Sequence, residues 1–128
     1  MPTLKIATGF LLMMCSIAHA GDTFYSKSYN TCIDASGGAT FKIIDCIKDE
    51  HIKQDKRLNA AYKKLGLQVS PDQKKLLVTA QRLWIQYRDA NCSFYYDPDG
   101  GSVARINGVA CHLEMTAQRA NELENLAK

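Results

Sequence analysis

The chain has 128 residues, with 16 Lys and Arg against 13 Asp and Glu, a formal net charge of +3, and 46% hydrophobic residues. That length makes one domain able to bury its own core. The small, scattered positive charge argues against nucleic acid as a partner.

Met1 to Ala20 reads as a signal peptide: Lys5 is its only charge, an apolar run spans Ile6 to Ile17, and Ala18-His19-Ala20 supplies the small-residue cleavage motif. The run is far shorter than the roughly 20 residues a membrane-spanning helix needs. No integral membrane segment is therefore expected in the mature chain. Lipid attachment at Cys15 is the rival reading, and two methionines before that cysteine fit it poorly. Cleavage after Ala20 leaves residues 21–128 as a single domain exported to an oxidising compartment, the periplasm.

Loss of the leader reduces five cysteines to Cys32, Cys46, Cys92 and Cys111. An even number in an exported domain points to disulfides, and four cysteines allow three connectivities. Pairing of sequence neighbours, Cys32 with Cys46 and Cys92 with Cys111, is the simplest. Spacings of 14, 46 and 19 residues lack the close pairs of a zinc site, so no metal and no cofactor is expected.

Residues 21–39 mix Gly, Ser, Asn and Asp and read as an extended, loop-like segment tied down at Cys32. From Thr40, Ile44, Ile47, His51, Asp55, Leu58, Tyr62 and Leu65 recur at steps of three or four, one face of a first helix with Thr40 as its cap and Gly66 as its stop. Ser70-Pro71-Asp72-Gln73 combines a capping hydroxyl, a proline where no amide donor is needed and a Gln for a capping box. A second helix begins there, carries Leu76, Leu77, Ala80, Leu83, Trp84 and Tyr87, and runs to about Cys92. The link is short enough to favour two antiparallel helices. Residues 93–108 are rich in turn formers and read as a long loop. A third helix follows from about Val109 to Leu126, with Cys111, Met115, Arg119, Glu122 or Leu123, and Leu126 along its stripe. The expected fold is all-α: a small disulfide-stapled bundle of three main helices with a long loop between helices two and three.

No constellation makes a convincing reaction centre, and the sequence argues against an enzyme. His51 and Asp55 stand four apart as an acid-base pair would, but no nucleophile accompanies them, and a polar pair at the edge of the core is the simpler reading. Asp97-Pro98-Asp99-Gly100-Gly101-Ser102 places Ser102 and Gly108 where a calcium loop needs Gly and Glu, so it reads as a tight turn capped by Asp side chains, with positive backbone angles at Gly100 and Gly101. His112-Leu113-Glu114 matches the His-X-Glu of zinc deaminases without their Pro-Cys-X-X-Cys partner. Arg88, Asp89 and Arg119 read as charges that tie helices together, with Asp55 or Asp89 as the natural carboxylate.

Asp55-X-X-Leu58-Asn59-X-X-Tyr62, Gln81-X-X-Trp84-X-X-X-Arg88-Asp89-X-X-Cys92, Gly100-Gly101-Ser102, Cys111 and Thr116-X-X-Arg119-X-X-X-Leu123 occur in that order. In this the chain resembles the LprI-like lysozyme-inhibitor domain family, over about Cys32 to Leu123. The resemblance implies a small exported helical domain with paired cysteines whose partner is a protein: lysozyme, another cell-wall hydrolase, or a toxin. An inhibitor reaches its target by plugging the substrate cleft, where two carboxylates do the chemistry. The segment between Cys92 and Cys111 suits that task, with Tyr95 and Tyr96 as aromatic anchors and Ser102 or Arg105 as hydrogen-bond donors to a carboxylate; the simpler reading of the same segment is a structural crossover between helices whose tyrosines pack on the core. A mildly basic chain is an unusual partner for strongly basic lysozymes, so steering by local acidic patches is required if lysozyme is the target. The alternatives are an immunity protein, or an envelope structural or stress-related domain with no hydrolase partner.

Overall fold

The computed structural model describes residues 25–128, all of whose regular structure is helical. The leader reading of residues 1–20 lies outside the described residues. Four helices follow in order: α1 (Lys27–Ala35), α2 (Thr40–Gln68), α3 (Pro71–Tyr95) and α4 (Gly101–Leu126).

The core is the seam between α2 and α4. Leu58, Ala61 and Leu65 of α2 meet Ala120 and Leu123 of α4 and Ala127 just beyond it, with Tyr62, Val69, Leu77 and Trp84 packed around them. The α4 side of the seam is made largely of small residues: Ala104, Gly108, Thr116, Ala117 and Ala120 are all buried. Small side chains let two long helices approach closely, so α2 finds its principal neighbour in α4 and not in α3. The short Val69–Ser70 link does turn the chain between α2 and α3. Between those two helices remains a furrow of about 520 Å3, walled by Asp55, Asn59 and Tyr62 on one side and Arg82, Trp84 and Arg88 on the other.

The segment expected to be loop-like contains α1. Ser26 caps it by accepting a hydrogen bond from the Tyr29 amide, and the Cys32–Cys46 disulfide fixes it to α2. A second tie is polar. Glu50, fully buried, accepts hydrogen bonds from the Ser26 amide at 2.8 Å, the Ser26 hydroxyl and Gln54 Nε2 at 2.8 Å. Burial works against its charge, but these donors and nearby Lys53 outweigh it and hold the carboxyl below its ordinary pKa.

The other helix bounds shift for local reasons. Thr40 is the first residue of α2 and Ala39 occupies the cap without a side-chain bond; Gly66 lies inside the helix, which continues to Gln68. The buried face of α2 is Cys46, Ile47, Glu50, Gln54, Leu58, Ala61 and Leu65, one step round from the expected stripe, so that His51 and Asp55 lie at its edge. The capping box at Ser70 and Gln73 is present as expected. The expected long loop over 93–108 is not: α3 continues to Tyr95 and α4 starts at Gly101, leaving only residues 96–100 between them. The bundle thus has four helices with a short bend, because once the chain reverses, Ala104 and Gly108 continue the small-residue seam of α4 and draw that stretch into the helix.

The polar tie predicts a large local cost. Glu50→Ala removes the acceptor of the Ser26 amide and hydroxyl and the tie to α1 and lowers unfolding free energy by about 2–3 kcal/mol, whereas Asp49→Ala, at an exposed site, changes it by less than about 0.5 kcal/mol. Urea titrations of the two variants measure the difference.

Candidate functional site: the stapled tip of a helical hairpin

Helices α3 and α4 form a hairpin whose base is closed by the Cys92–Cys111 disulfide. The bend is built by its own side chains. Asp97 Oδ1 accepts a hydrogen bond from the Asp99 amide at 2.9 Å, and the Asp97 carbonyl accepts one from the Gly100 amide at 3.1 Å. Gly101 takes the positive φ of +66°. Gly100 does not, and is needed for a different reason: a Cβ there would stand 2.6 Å from the Ala104 Cβ.

Tyr95 ends α3 and Tyr96 caps it. Both are exposed for about half their surface, and Val103, in the first turn of α4, for 65%. Ser102 and Arg105 are also exposed on that turn. Among the described residues no hydrogen bond or ion pair joins Ser102 or Arg105 to the tyrosines; what the four share is the end of the hairpin. Tyr96 has a packing role besides, for its side chain lies against Gly108, where an added Cβ would come within 2.9 Å of the Tyr96 Cβ. Asp97 and Asp99 are exposed at the bend and give the tip local negative charge.

Val103 and the acidic pair escaped the sequence reading. A long loop offers no reason to single out Val103, and the aspartates were absorbed by the turn they build. The signal available was the run Phe94-Tyr95-Tyr96, since three consecutive aromatic residues cannot all face one core.

Below the tip lies a polar cluster. Thr116, fully buried on α4, receives Arg88 Nη1 at 3.4 Å and lies 3.2 Å from His51 Nε2. Arg88 also bonds Asp89, at 2.9 Å, and His112 Nδ1 is 3.8 Å from the same carboxylate. The His51 and His112 rings are 6.3 Å apart. With Arg88 donating to the Thr116 oxygen, the Thr116 hydroxyl proton is free to go to a neutral His51 Nε2. Burial first, and the Arg88 guanidinium second, push both histidines below their ordinary pKa of 6.5, against the opposing pull of Asp55 on His51 and Asp89 on His112. Arg88 and Arg119 both lie over the Trp84 ring, at 5.1 and 5.9 Å from its centroid. Arg119 donates to Gln81 at 3.0 Å and to Glu122 at 2.6 Å. The arginines tie helices, but not through a carboxylate: Arg88 reaches Thr116 of α4 and Arg119 reaches Gln81 of α3, whereas Asp89 pairs with Arg88 on the same helix, and Asp55 accepts from Asn59 at 3.0 Å. This cluster joins α2, α3 and α4, and the Thr116 hydroxyl beside His51 is fully buried.

Among the described residues no group of three or more His, Cys, Asp or Glu is placed to hold a metal ion, and no helix is long and apolar enough to cross a membrane. Comparison with family models matches the chain to the family described as Lysozyme inhibitor LprI, over residues 32–123. No curated protein and no solved structure matches.

Two outcomes follow for this region. Because both histidines have depressed pKa values when folded, the unfolded chain binds more protons below pH 6.5; their neutral forms stabilise the fold fully above that pH and lose this effect as pH falls. Urea unfolding between pH 7.5 and 5 therefore shows falling stability, and the His51→Gln/His112→Gln variant shows a shallower slope. Gly108→Ala forces Tyr96 off α4 and costs about 1–3 kcal/mol, measured by thermal or urea unfolding.

Proposed function

The chain belongs to the Lysozyme inhibitor LprI family, and from that premise we propose that it is an exported periplasmic inhibitor of lysozyme or a related cell-wall hydrolase, acting through the tip of the α3–α4 hairpin. The signal-peptide pattern of residues 1–20 supports export, and two disulfides fit an oxidising compartment.

The observation that carries the reading is a hairpin end with exposed aromatic side chains on a disulfide-closed base. An inhibitor has to enter a cleft without paying much ordering entropy on binding, and a stapled hairpin is ordered beforehand. Tyr95 offers a large, rigid contact surface, with Tyr96 and Val103 beside it. Arg105, with no ion pair among the described residues, is available to one of the two carboxylates in a glycosidase cleft, and Ser102 to a hydrogen bond there. Asp97 and Asp99 answer the difficulty posed by a mildly basic chain: they supply negative charge where a basic hydrolase would approach, while the excess of Lys and Arg lies elsewhere.

Inhibition of lysozyme-driven lysis of a cell-wall suspension tests this. Tyr95→Ala and Arg105→Ala each weaken inhibition by about tenfold or more, the effect of losing a central contact of at least 1.4 kcal/mol, with thermal stability unchanged. Full inhibition by both variants contradicts the tip assignment, and absence of inhibition by the parent chain contradicts the function.

A further inference from the structure

Helix α3 exposes a second apolar stripe that neither the core nor the tip uses. Leu76, Ala80, Leu83, Tyr87, Ala90 and Phe94 follow one another at steps of four, three, four, three and four, the spacing of a coiled-coil seam. All six are exposed, Leu76 at 70%, Leu83 at 60%, Tyr87 at 61% and Phe94 at 83%. The residues that flank this seam are Thr79, Gln86 and Ser93 on one side and Leu77, Trp84 and Asn91 on the other, none of them charged. The charges of this stretch, Arg82, Arg88 and Asp89, all fall outside the seam and its flanks. Charge depletion with aromatic enrichment is the signature of an interface centre and not of a solvated helix face.

We infer that α3 pairs through this stripe with α3 of a second copy of the chain, antiparallel about a two-fold axis near residue 85. The pattern selects this occupant. Read from either end it runs large, small, large, large, small, large, so an antiparallel two-fold sets Leu76 against Phe94 of the other copy, Ala80 against Ala90 and Leu83 against Tyr87 in the self-complementary manner such an axis requires. Charge favours this direction. A parallel pair sets Lys75, Arg82 and Asp89 each level with its own like charge, whereas the antiparallel pair sets Lys75 level with Tyr95 and Asp89 level with Gln81 of the other copy, and leaves Arg82 level with Arg88. Covering the six side chains on both copies removes on the order of 1,200 Å2 from water, the lower end of stable interfaces. Beside the seam, a groove of about 620 Å3 lined by Tyr87, Asn91, Tyr95 and Met115 leaves room for the partner helix's larger side chains. The arrangement points the two hairpin tips in opposite directions.

Sedimentation equilibrium of the purified, disulfide-intact chain at tens of micromolar gives twice the chain mass. Leu83→Glu returns it to the monomer mass with its circular dichroism and melting temperature retained, since Leu83 is exposed and its replacement opens no cavity. Leu67→Glu, on the exposed end of α2, leaves the dimer intact. Gln86→Cys, next to the two-fold, cross-links in air to a covalent dimer, and Thr79→Cys alone does not; cross-linking by Thr79→Cys instead overturns the antiparallel arrangement. A monomeric parent chain, or a Leu83→Glu variant that still dimerises, overturns the proposal. So does a monomer whose hydrolase inhibition is abolished by Leu83→Glu, which assigns the stripe to the hydrolase.

Discussion

The Cys92–Cys111 disulfide decides how α3 is used. Without it α3 is the most weakly held of the long helices: only Gln81 and Cys92 along its length are buried. Two stripes on α3 are spaced for burial, Leu76-Ala80-Leu83-Tyr87 and Leu77-Gln81-Trp84-Arg88, and the first is much the more apolar. Cys92 continues the second at the next helical step. Bonding it to Cys111 turns the polar stripe toward α4 and leaves the apolar one outside. Closing a loop of 19 residues contributes about 3 kcal/mol by the chain-entropy model, comparable to the advantage of burying one large apolar side chain. The disulfide and the polar contacts of Gln81, Arg88 and Trp84 together outweigh the choice that hydrophobicity alone would make.

The same orientation accounts for the cluster beneath the tip. Turning Arg88 inward sets its guanidinium beside Thr116 and over Trp84, and this brings His51 and His112 into its field. Burial and that field keep both imidazoles neutral, which allows a Thr116 hydroxyl with no solvent contact to remain satisfied. The residues on which the family resemblance rests are thus divided between two tasks: Leu58 and Leu123 pack the seam, while Gln81, Trp84, Arg88, Thr116 and Arg119 fix the orientation of α3 against it. The tip is carried by that orientation; it shares Gly100, Gly101 and Ser102 with those residues, while Tyr95, Tyr96, Val103 and Arg105 lie outside them.

Much of this was legible in the chain. The helical class, the capping box at Ser70 and the neighbour pairing of the cysteines all follow from local chemistry, and the structure bears them out; Arg88 and Arg119 do tie helices, but through Thr116 and Gln81 and not through a carboxylate. The helix hidden in residues 27–35 was not legible because its docking depends on Glu50, a residue that periodicity counts as polar and exposed until its donors are known. The start of α4 was missed because Gly100, Gly101 and Gly108 signal turns, whereas Gly108 is a close-approach residue inside a helix. Helical spacing also failed to choose between the two stripes of α3, since both fit it and the chooser is a covalent bond to another helix. For the tip, the tyrosines and Arg105 stood out by type, and Val103 became visible only with the bend in place.

The claim that α3 needs the Cys92–Cys111 cross-link besides its polar contacts to hold its orientation, and with it both the tip and the outer stripe, is tested most directly by amide hydrogen exchange on the Cys92→Ala/Cys111→Ala variant. The account predicts that protection falls by an order of magnitude or more along α3 and through the bend, while the α2–α4 seam and α1 keep theirs. Protection of α3 that matches the parent chain would contradict it and would assign the orientation to the polar contacts alone.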